Sequence, residues 1–243
     1  ASVLEPVYRS SGEWAKLIAV NEVQVDHAED PLRKVELLHG VADLYEMQLD
    51  DANKAFDAQA RSLPHDNRHD HTLASLERLG EYTGRWDDVT RLYDVEIEKI
   101  KADRPDDVVD MALRNAQIHE VQTGNVDAAI ERYSLVVDAD PSHVQAIEAL
   151  DRLYEATERW GELAEILVKE IDIAPSPDAV LDIQFRLGQV RQNHLGDVDG
   201  AIGQYQEILA AAPEHSPSMS ALEFLFADGV RPLVVGEILE PIY

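Results

Sequence analysis

The sequence contains no cysteine, and this absence excludes disulfide bonds, thiolate metal sites and thiol nucleophiles. A membrane-spanning helix needs a run of about 18 or more apolar residues, and the sequence has none, so membrane insertion is not expected. Glycine and proline are few, with 12 and 11 residues among 243. Because 45% of the residues are apolar, the chain is expected to fold around a continuous core.

Basic residues are scarce beside acidic ones: 21 Lys and Arg stand against 48 Asp and Glu, which gives a formal net charge of −27. Binding to a phosphate backbone depends on Lys and Arg, so nucleic acid is disfavoured as a direct partner. The sequence also lacks a glycine-rich phosphate loop, a Gly-x-Ser-x-Gly elbow and a His-Glu-x-x-His motif. We therefore expect neither catalysis nor a bound cofactor.

Two kinds of segment repeat along the chain. Trp14, Trp86 and Trp160 follow one another at intervals of 72 and 74 residues. Between them, the motif Gly-x-Val-Asp-x-Ala-Ile occurs at 124–130 and again 72 residues later at 196–202. A weaker copy is Asp50-Asp51-Ala52 followed by Phe56 and Pro64, and in this copy Met47 replaces the turn glycine. Because apolar residues recur at three- and four-residue steps around these turns, each segment is predicted to be a helical hairpin.

These hairpins carry a series of small and aromatic residues around each turn. Two copies of the series are Gly84, Trp86, Val89, Tyr93 and then Gly124, Val126, Ala129, Tyr133, Pro141. The series resembles the tetratricopeptide repeat family over nearly the whole chain, with Glu158 in place of the glycine before Trp160. The resemblance implies an all-α fold, a right-handed superhelix or solenoid of about 14 antiparallel helices.

We predict a single repeat domain over residues 1–243. Its hairpins are expected at about 2–29, 31–64, 68–102, 104–141, 143–175, 177–213 and 216–243. The residues 239–243, Leu-Glu-Pro-Ile-Tyr, nearly duplicate Leu-Glu-Pro-Val-Tyr at 4–8. The chain is therefore expected to belong to a longer array, similar to the very long tetratricopeptide arrays of some bacteria, and its uncapped ends could associate with each other.

Arginines recur on the predicted first helices, which line the concave face in this family. A partner peptide is expected to meet Arg78, Arg114, Arg152 and Arg186 together with Glu81, Glu148 and Glu155. The arginines could grip carboxylates of the partner, because a guanidinium pairs with a carboxylate through two hydrogen bonds. They could instead bridge to Glu77, Glu81, Glu148 or Glu155 within the array.

Two other groups are candidate functional residues. Trp14, Trp86 and Trp160 are interpreted as structural staples between neighbouring helices, because each follows a turn. His65, His69 and His71 lie within seven residues and include ligand types for zinc, nickel or copper. A solvated turn that caps the next helix is the other interpretation of this histidine segment.

The sequence therefore predicts a non-enzymatic scaffold for protein–protein interaction that binds a peptide or partner helix on its concave face. The alternative is a structural spacer, or self-assembling segment, of a giant repeat protein that associates end to end.

Overall fold

A computed structural model describes residues 4–101 and 107–242; the predicted hairpin limits at 2, 102, 104 and 243 lie outside them. Within these ranges the chain forms 14 α-helices and no strand, which confirms the predicted all-α class of helical hairpins. No helix in these ranges is both long enough and apolar enough to cross a bilayer. The chain divides into two compact units, residues 1–125 and 126–243.

The described residues of the first unit form seven α-helices that pack in chain order, each against the next. They are α1 (Leu4–Ser11), α2 (Trp14–His27), α3 (Pro31–Leu49), α4 (Ala52–Ser62), α5 (Asp70–Thr83), α6 (Trp86–Ile100) and α7 (Val108–Ile118). A short 3-10 turn, Leu63–His65, follows α4. Apolar side chains on facing sides of the helices fill the core, among them the almost fully buried Leu38, Phe56, Leu76 and Tyr93.

The second unit repeats this arrangement with α8 (Val126–Ala139), α9 (Val144–Ala156), α10 (Trp160–Ile173), α11 (Pro177–Val190), α12 (Val198–Ala211), α13 (Ser216–Ala227) and α14 (Pro232–Leu239). A 3-10 turn, Glu240–Ile242, follows α14. Helix starts are capped as their sequence suggests: the Ser176 hydroxyl accepts a hydrogen bond from the Ala179 amide, and Asp197 accepts one from the Gly200 amide. Part of the core surrounds Tyr205, Leu222 and Val235.

The turns before the tryptophans share one backbone conformation. Gly12, Gly84 and Glu158 all have positive φ angles, of 70°, 71° and 56°. In each case the amide of the next residue bonds to the carbonyl five residues before it, as the Arg85 amide does to the Gly80 carbonyl at 2.8 Å. Glu158 thus takes the position predicted for a glycine, although a side chain disfavours this conformation.

The hairpins α7–α8 and α11–α12 have a turn that is wider by one residue. Gly124 and Gly196 adopt the left-handed conformation after π-helical segments at His119–Thr123 and Arg191–Leu195. The following amide bonds to the carbonyl six residues earlier, at 2.9 Å in both turns. π-Helical insertions of this kind add one residue to a helical turn.

The weaker copy of this hairpin has a different register from the predicted one. Asp50, with a φ of 52°, holds the left-handed position, and the Asp51 amide bonds to the Tyr45 carbonyl six residues earlier. Met47 lies inside α3 with an exposed side chain. The prediction that Met47 replaces the turn glycine was wrong, because an aspartate tolerates the left-handed conformation better than most residues and Asp50 ends the helix there.

Candidate functional site

The helices that precede these turns carry the predicted arginines, and we call α3, α5, α7, α9 and α11 the first helices. On α5, Arg78 donates two hydrogen bonds to the Glu46 carboxylate of α3, at 2.6 and 2.8 Å. These bonds favour the ionised carboxylate and lower the pKa of Glu46 below its ordinary value. Arg78 therefore joins two successive first helices.

Arg114 on α7 makes a similar connection back to α5. Its Nη1 donates to Glu77 Oε1 at 3.3 Å, and its Nε donates to Asp110 on its own helix at 3.1 Å. Glu77 also accepts a hydrogen bond of 3.0 Å from the hydroxyl of the buried Tyr93. Glu77 therefore connects the core to the surface of the first helices.

In the second unit, Arg186 on α11 reaches back to α9. It donates to Asp151 at 2.6 Å and to Glu155 at 2.7 Å. Arg152 and Glu148 lie on α9 with exposed side chains, as Glu81 does on α5. The structure thus brings two predicted residues, Arg186 and Glu155, into contact.

Three of the predicted arginines therefore already bind carboxylates of this chain. Their main partners Glu46, Glu77 and Asp151 lie 32 to 37 residues earlier in sequence, which is about one repeat. Sequence reasoning considered Glu77 but missed Glu46, Asp110 and Asp151. The signal that could have found two of them is an acidic residue one repeat before each arginine.

The three tryptophans begin α2, α6 and α10, two residues after the left-handed turn residue. All three are half-buried, so they lie at the edge of the core. The Trp160 indole stacks on the imidazole of His194, with ring centroids 3.7 Å apart and an angle of 19° between the planes. The staple role predicted for Trp14, Trp86 and Trp160 stays a prediction.

A fourth histidine, His39, lies beside the histidine segment. The sequence pattern did not connect His39 with this segment. His39 on α3 lies 5.0 Å from His69 and 4.8 Å from His71, measured between ring centroids, and its Nε2 is 2.8 Å from Thr72 Oγ1. His65 is not part of this ring cluster. Within residues 4–101 and 107–242, no three metal-ligand side chains are arranged to hold an ion.

Burial, followed by the charges of His71 and His69, lowers the pKa of His39 to about 4. His39 is therefore neutral at physiological pH, and it accepts a proton only under acidic conditions. Burial and the nearby Lys34 charge also lower the pKa of His65.

A solvent-open cavity of about 640 Å³ lies on the first unit between α5, α7 and the start of α6. It is lined by Glu77, Trp86, Asp110, Leu113, Arg114, Gln117, Ile118, Val121 and Gln122. The arginine connection from α7 to α5 thus forms one wall, and the Trp86 indole lines the same space.

Neither a protein-family model nor a curated protein matches the sequence. Among solved structures, the crystal structure of MamA is 20% identical over 67% of this chain and 90% of its own, with a TM-score of 0.37. A tetratricopeptide repeat protein from Parabacteroides merdae is 12% identical over 98% of this chain and 95% of its own, with a TM-score of 0.38.

The C-terminal part of a repeat-containing protein from Cytophaga hutchinsonii is 11% identical over 100% of this chain and 94% of its own, with a TM-score of 0.43. In the present chain, the described helices form pairs, and a residue with a positive φ angle precedes each second helix.

Proposed function

We propose that this chain is a non-enzymatic scaffold that binds a peptide or a partner helix along the surface of the first helices. The observation that carries this proposal is the pair of arginine–carboxylate contacts that join successive first helices of the first unit, Arg78 with Glu46 and Arg114 with Glu77. A partner that lies along α3, α5 and α7 can therefore contact one charged patch after the other.

The ionisation of Glu46 also suits a binding role. The hydrogen bonds from Arg78 lower the pKa of Glu46, which keeps this carboxylate charged and available for electrostatic recognition.

The proposal is tested with peptides selected by display against the intact chain. Replacing Arg78 and Arg152 together with alanine is expected to weaken capture of the selected peptides while the melting temperature changes little, because exposed ion pairs contribute about 0 to 1 kcal/mol. Arg91→Ala is the control, since Arg91 is an exposed arginine on α6, away from the first helices.

A large loss of stability with unchanged peptide binding would identify Arg78 and Arg152 as internal struts. Failure to select any peptide that binds the first helices, as mapped by hydrogen exchange, would contradict the scaffold proposal itself.

A second candidate, the self-assembling segment, is favoured by apolar surface at α1 and α2. A cavity of about 400 Å³ there is lined by Leu4, Tyr8, Lys16, Ala19, Val20 and Val23. We expect light scattering across a concentration series to separate the two candidates. Growth in mass that salt promotes would favour assembly, because salt screens repulsion between acidic chains and leaves apolar contact intact, whereas a constant monomer would favour the peptide scaffold.

A further inference from the structure

We propose that the cavity beside Trp86 binds the guanidinium group of an arginine from a basic partner peptide. This inference rests on the proposed function and deepens it, because it gives the partner a chemistry. The cavity combines an aromatic wall, the Trp86 indole, with two carboxylates, Glu77 and Asp110. A guanidinium can contact both kinds of group at once, since it is planar and carries several hydrogen-bond donors.

The charge of the cavity favours a cation. Glu77 and Asp110 carry two negative charges, and Arg114 supplies one positive charge between them. Its bonds to these carboxylates measure 3.3 and 3.1 Å, longer than the 2.6 Å between Arg186 and Asp151. Charge-assisted hydrogen bonds are usually shorter, about 2.7 to 2.9 Å.

The Asp110 carboxylate is accessible to a group of the partner. The side chain of Asp110 is 68% exposed, and a carboxylate has about four acceptor positions, of which the Arg114 Nε–H takes one. The formal charge of the whole chain, −27, attracts basic partners over a longer range. A carboxylate of the partner, by contrast, would meet an excess of negative charge in this cavity.

Four residues of the second unit occupy the equivalent sequence positions. Asp151, Trp160, Asp182 and Arg186 take the positions that Glu77, Trp86, Asp110 and Arg114 hold in the first unit. In the second unit, a planar side chain of this same chain, His194, lies stacked on the indole.

In the second unit, His194 occupies the sequence position that a glutamine occupies in the first unit. Gln122 lies 72 residues before His194, and it lines the cavity together with Trp86. The stacked imidazole identifies what the indole face accepts: a flat, polar, nitrogen-containing group. We infer that in the first unit this group comes from the partner.

The chain also contains a guanidinium on an aromatic ring. The Arg85 guanidinium lies over the Phe56 ring, 4.1 Å from its centroid, while its nitrogens donate to Asp88 and Asp57. Stacking together with carboxylate pairing is thus an arrangement that this protein already makes. A lysine ammonium has no planar face to stack, so arginine is expected to bind more tightly than lysine.

The test uses a capped peptide in which two arginines are separated by glycine and serine, titrated into the intact chain by calorimetry. Matched peptides carry lysine or citrulline at the arginine positions. Because citrulline keeps the planar shape but lacks the charge, we expect about tenfold or greater weakening with it, and an intermediate affinity with lysine.

The variant Asp110→Asn is expected to weaken the arginine peptide by about tenfold, because it removes one charge-assisted pair. Its matched control is Asp182→Asn, the same change at the equivalent exposed position on α11, beside the indole that His194 covers. The control is expected to leave the affinity unchanged. Both variants alter exposed side chains, so circular dichroism should report an intact fold in each.

Equal affinity for arginine and citrulline peptides would overturn the inference, and so would an equal loss in both variants, which would indicate nonspecific attraction to an acidic chain. If display-selected peptides bind the first helices while the arginine peptide does not, the guanidinium site is refuted and the scaffold stands. If no selected peptide binds, the proposed function fails as well.

Discussion

Gly188 on α11 lies against the ring of Tyr205, and its replacement by alanine tests how tightly the second unit is packed. A Cβ atom at Gly188 would lie 2.6 Å from Tyr205 Cε1 and 3.1 Å from Cζ. The ring is 1% exposed, and its hydroxyl donates a hydrogen bond to Gln192 at 3.0 Å. The added methyl group therefore forces either the ring or the helix to move.

The expected effect combines three contributions. Overpacking a core typically costs about 1 to 3 kcal/mol. Displacing the ring endangers the Tyr205–Gln192 hydrogen bond, which contributes about 1 kcal/mol. Alanine is about 1 kcal/mol more favourable than glycine inside a helix, and this gain opposes the other two. We expect Gly188→Ala to lower the free energy of unfolding by about 1 to 3 kcal/mol.

Urea unfolding followed by circular dichroism measures this difference, and Gly203→Ala is the matched control. Gly203 lies inside α12, where an added Cβ would meet nothing within 4 Å. The control keeps only the helix-propensity gain, so it should be more stable than the original chain by up to about 1 kcal/mol. If Gly188→Ala proves as stable as Gly203→Ala, the ring of Tyr205 is free to move and the packing argument is refuted.

Three further changes have expected outcomes. Glu158→Gly should raise the melting temperature, because glycine relieves about 1 kcal/mol of strain at a φ of 56°; an unchanged value would contradict this. Since the pKa of His39 falls from 6.5 to about 4 on folding, the unfolded chain takes up the proton first, and stability should fall as the pH drops from 6.5 to 4. His39→Gln should flatten that dependence in denaturation measured at several pH values. Asp197→Ala should cost about 1 kcal/mol in urea unfolding, because Asp197 caps α12 through the Gly200 amide, and no loss would show that this bond is dispensable.

The left-handed turns could be predicted from the sequence where the repeat pattern places a glycine in the turn. Gly84, Gly124 and Gly196 all adopt the left-handed conformation, and Glu158 does so at the position where the repeat called for glycine. Asp50 was missed because the weaker copy was aligned on aromatic and proline residues farther along the chain. The extra residue of the π-helical turns has no residue signature, since it changes only which amide bonds to which carbonyl.

For the arginine–carboxylate pairs of the candidate site, the sequence predicted the arginines but not which carboxylate each arginine binds. The repeat places Arg78, Arg114 and Arg186 on the first helices, but the carboxylate that each arginine meets depends on how successive helices pack. Helix packing also brings His39 to His69 and His71, across an interval of 30 residues that no local pattern connects. To predict a contact between residues one repeat apart, the exact alignment of the two repeats must be known. Sequence spacing gives this alignment only to within a few residues.

The alternation of the two turn types bears on how such a chain avoids errors as it folds. Copies of one type recur about 72 residues apart, as with Gly124 and Gly196, and a hairpin of the other type always lies between them. Repeat proteins are prone to exchange of similar segments while their apolar faces are still exposed. During synthesis, each hairpin that emerges from the ribosome differs from the preceding hairpin in the width of its turn. Two hairpins similar enough to exchange places are therefore separated by a hairpin of the other type. This separation favours packing of each hairpin against its neighbour in order of synthesis.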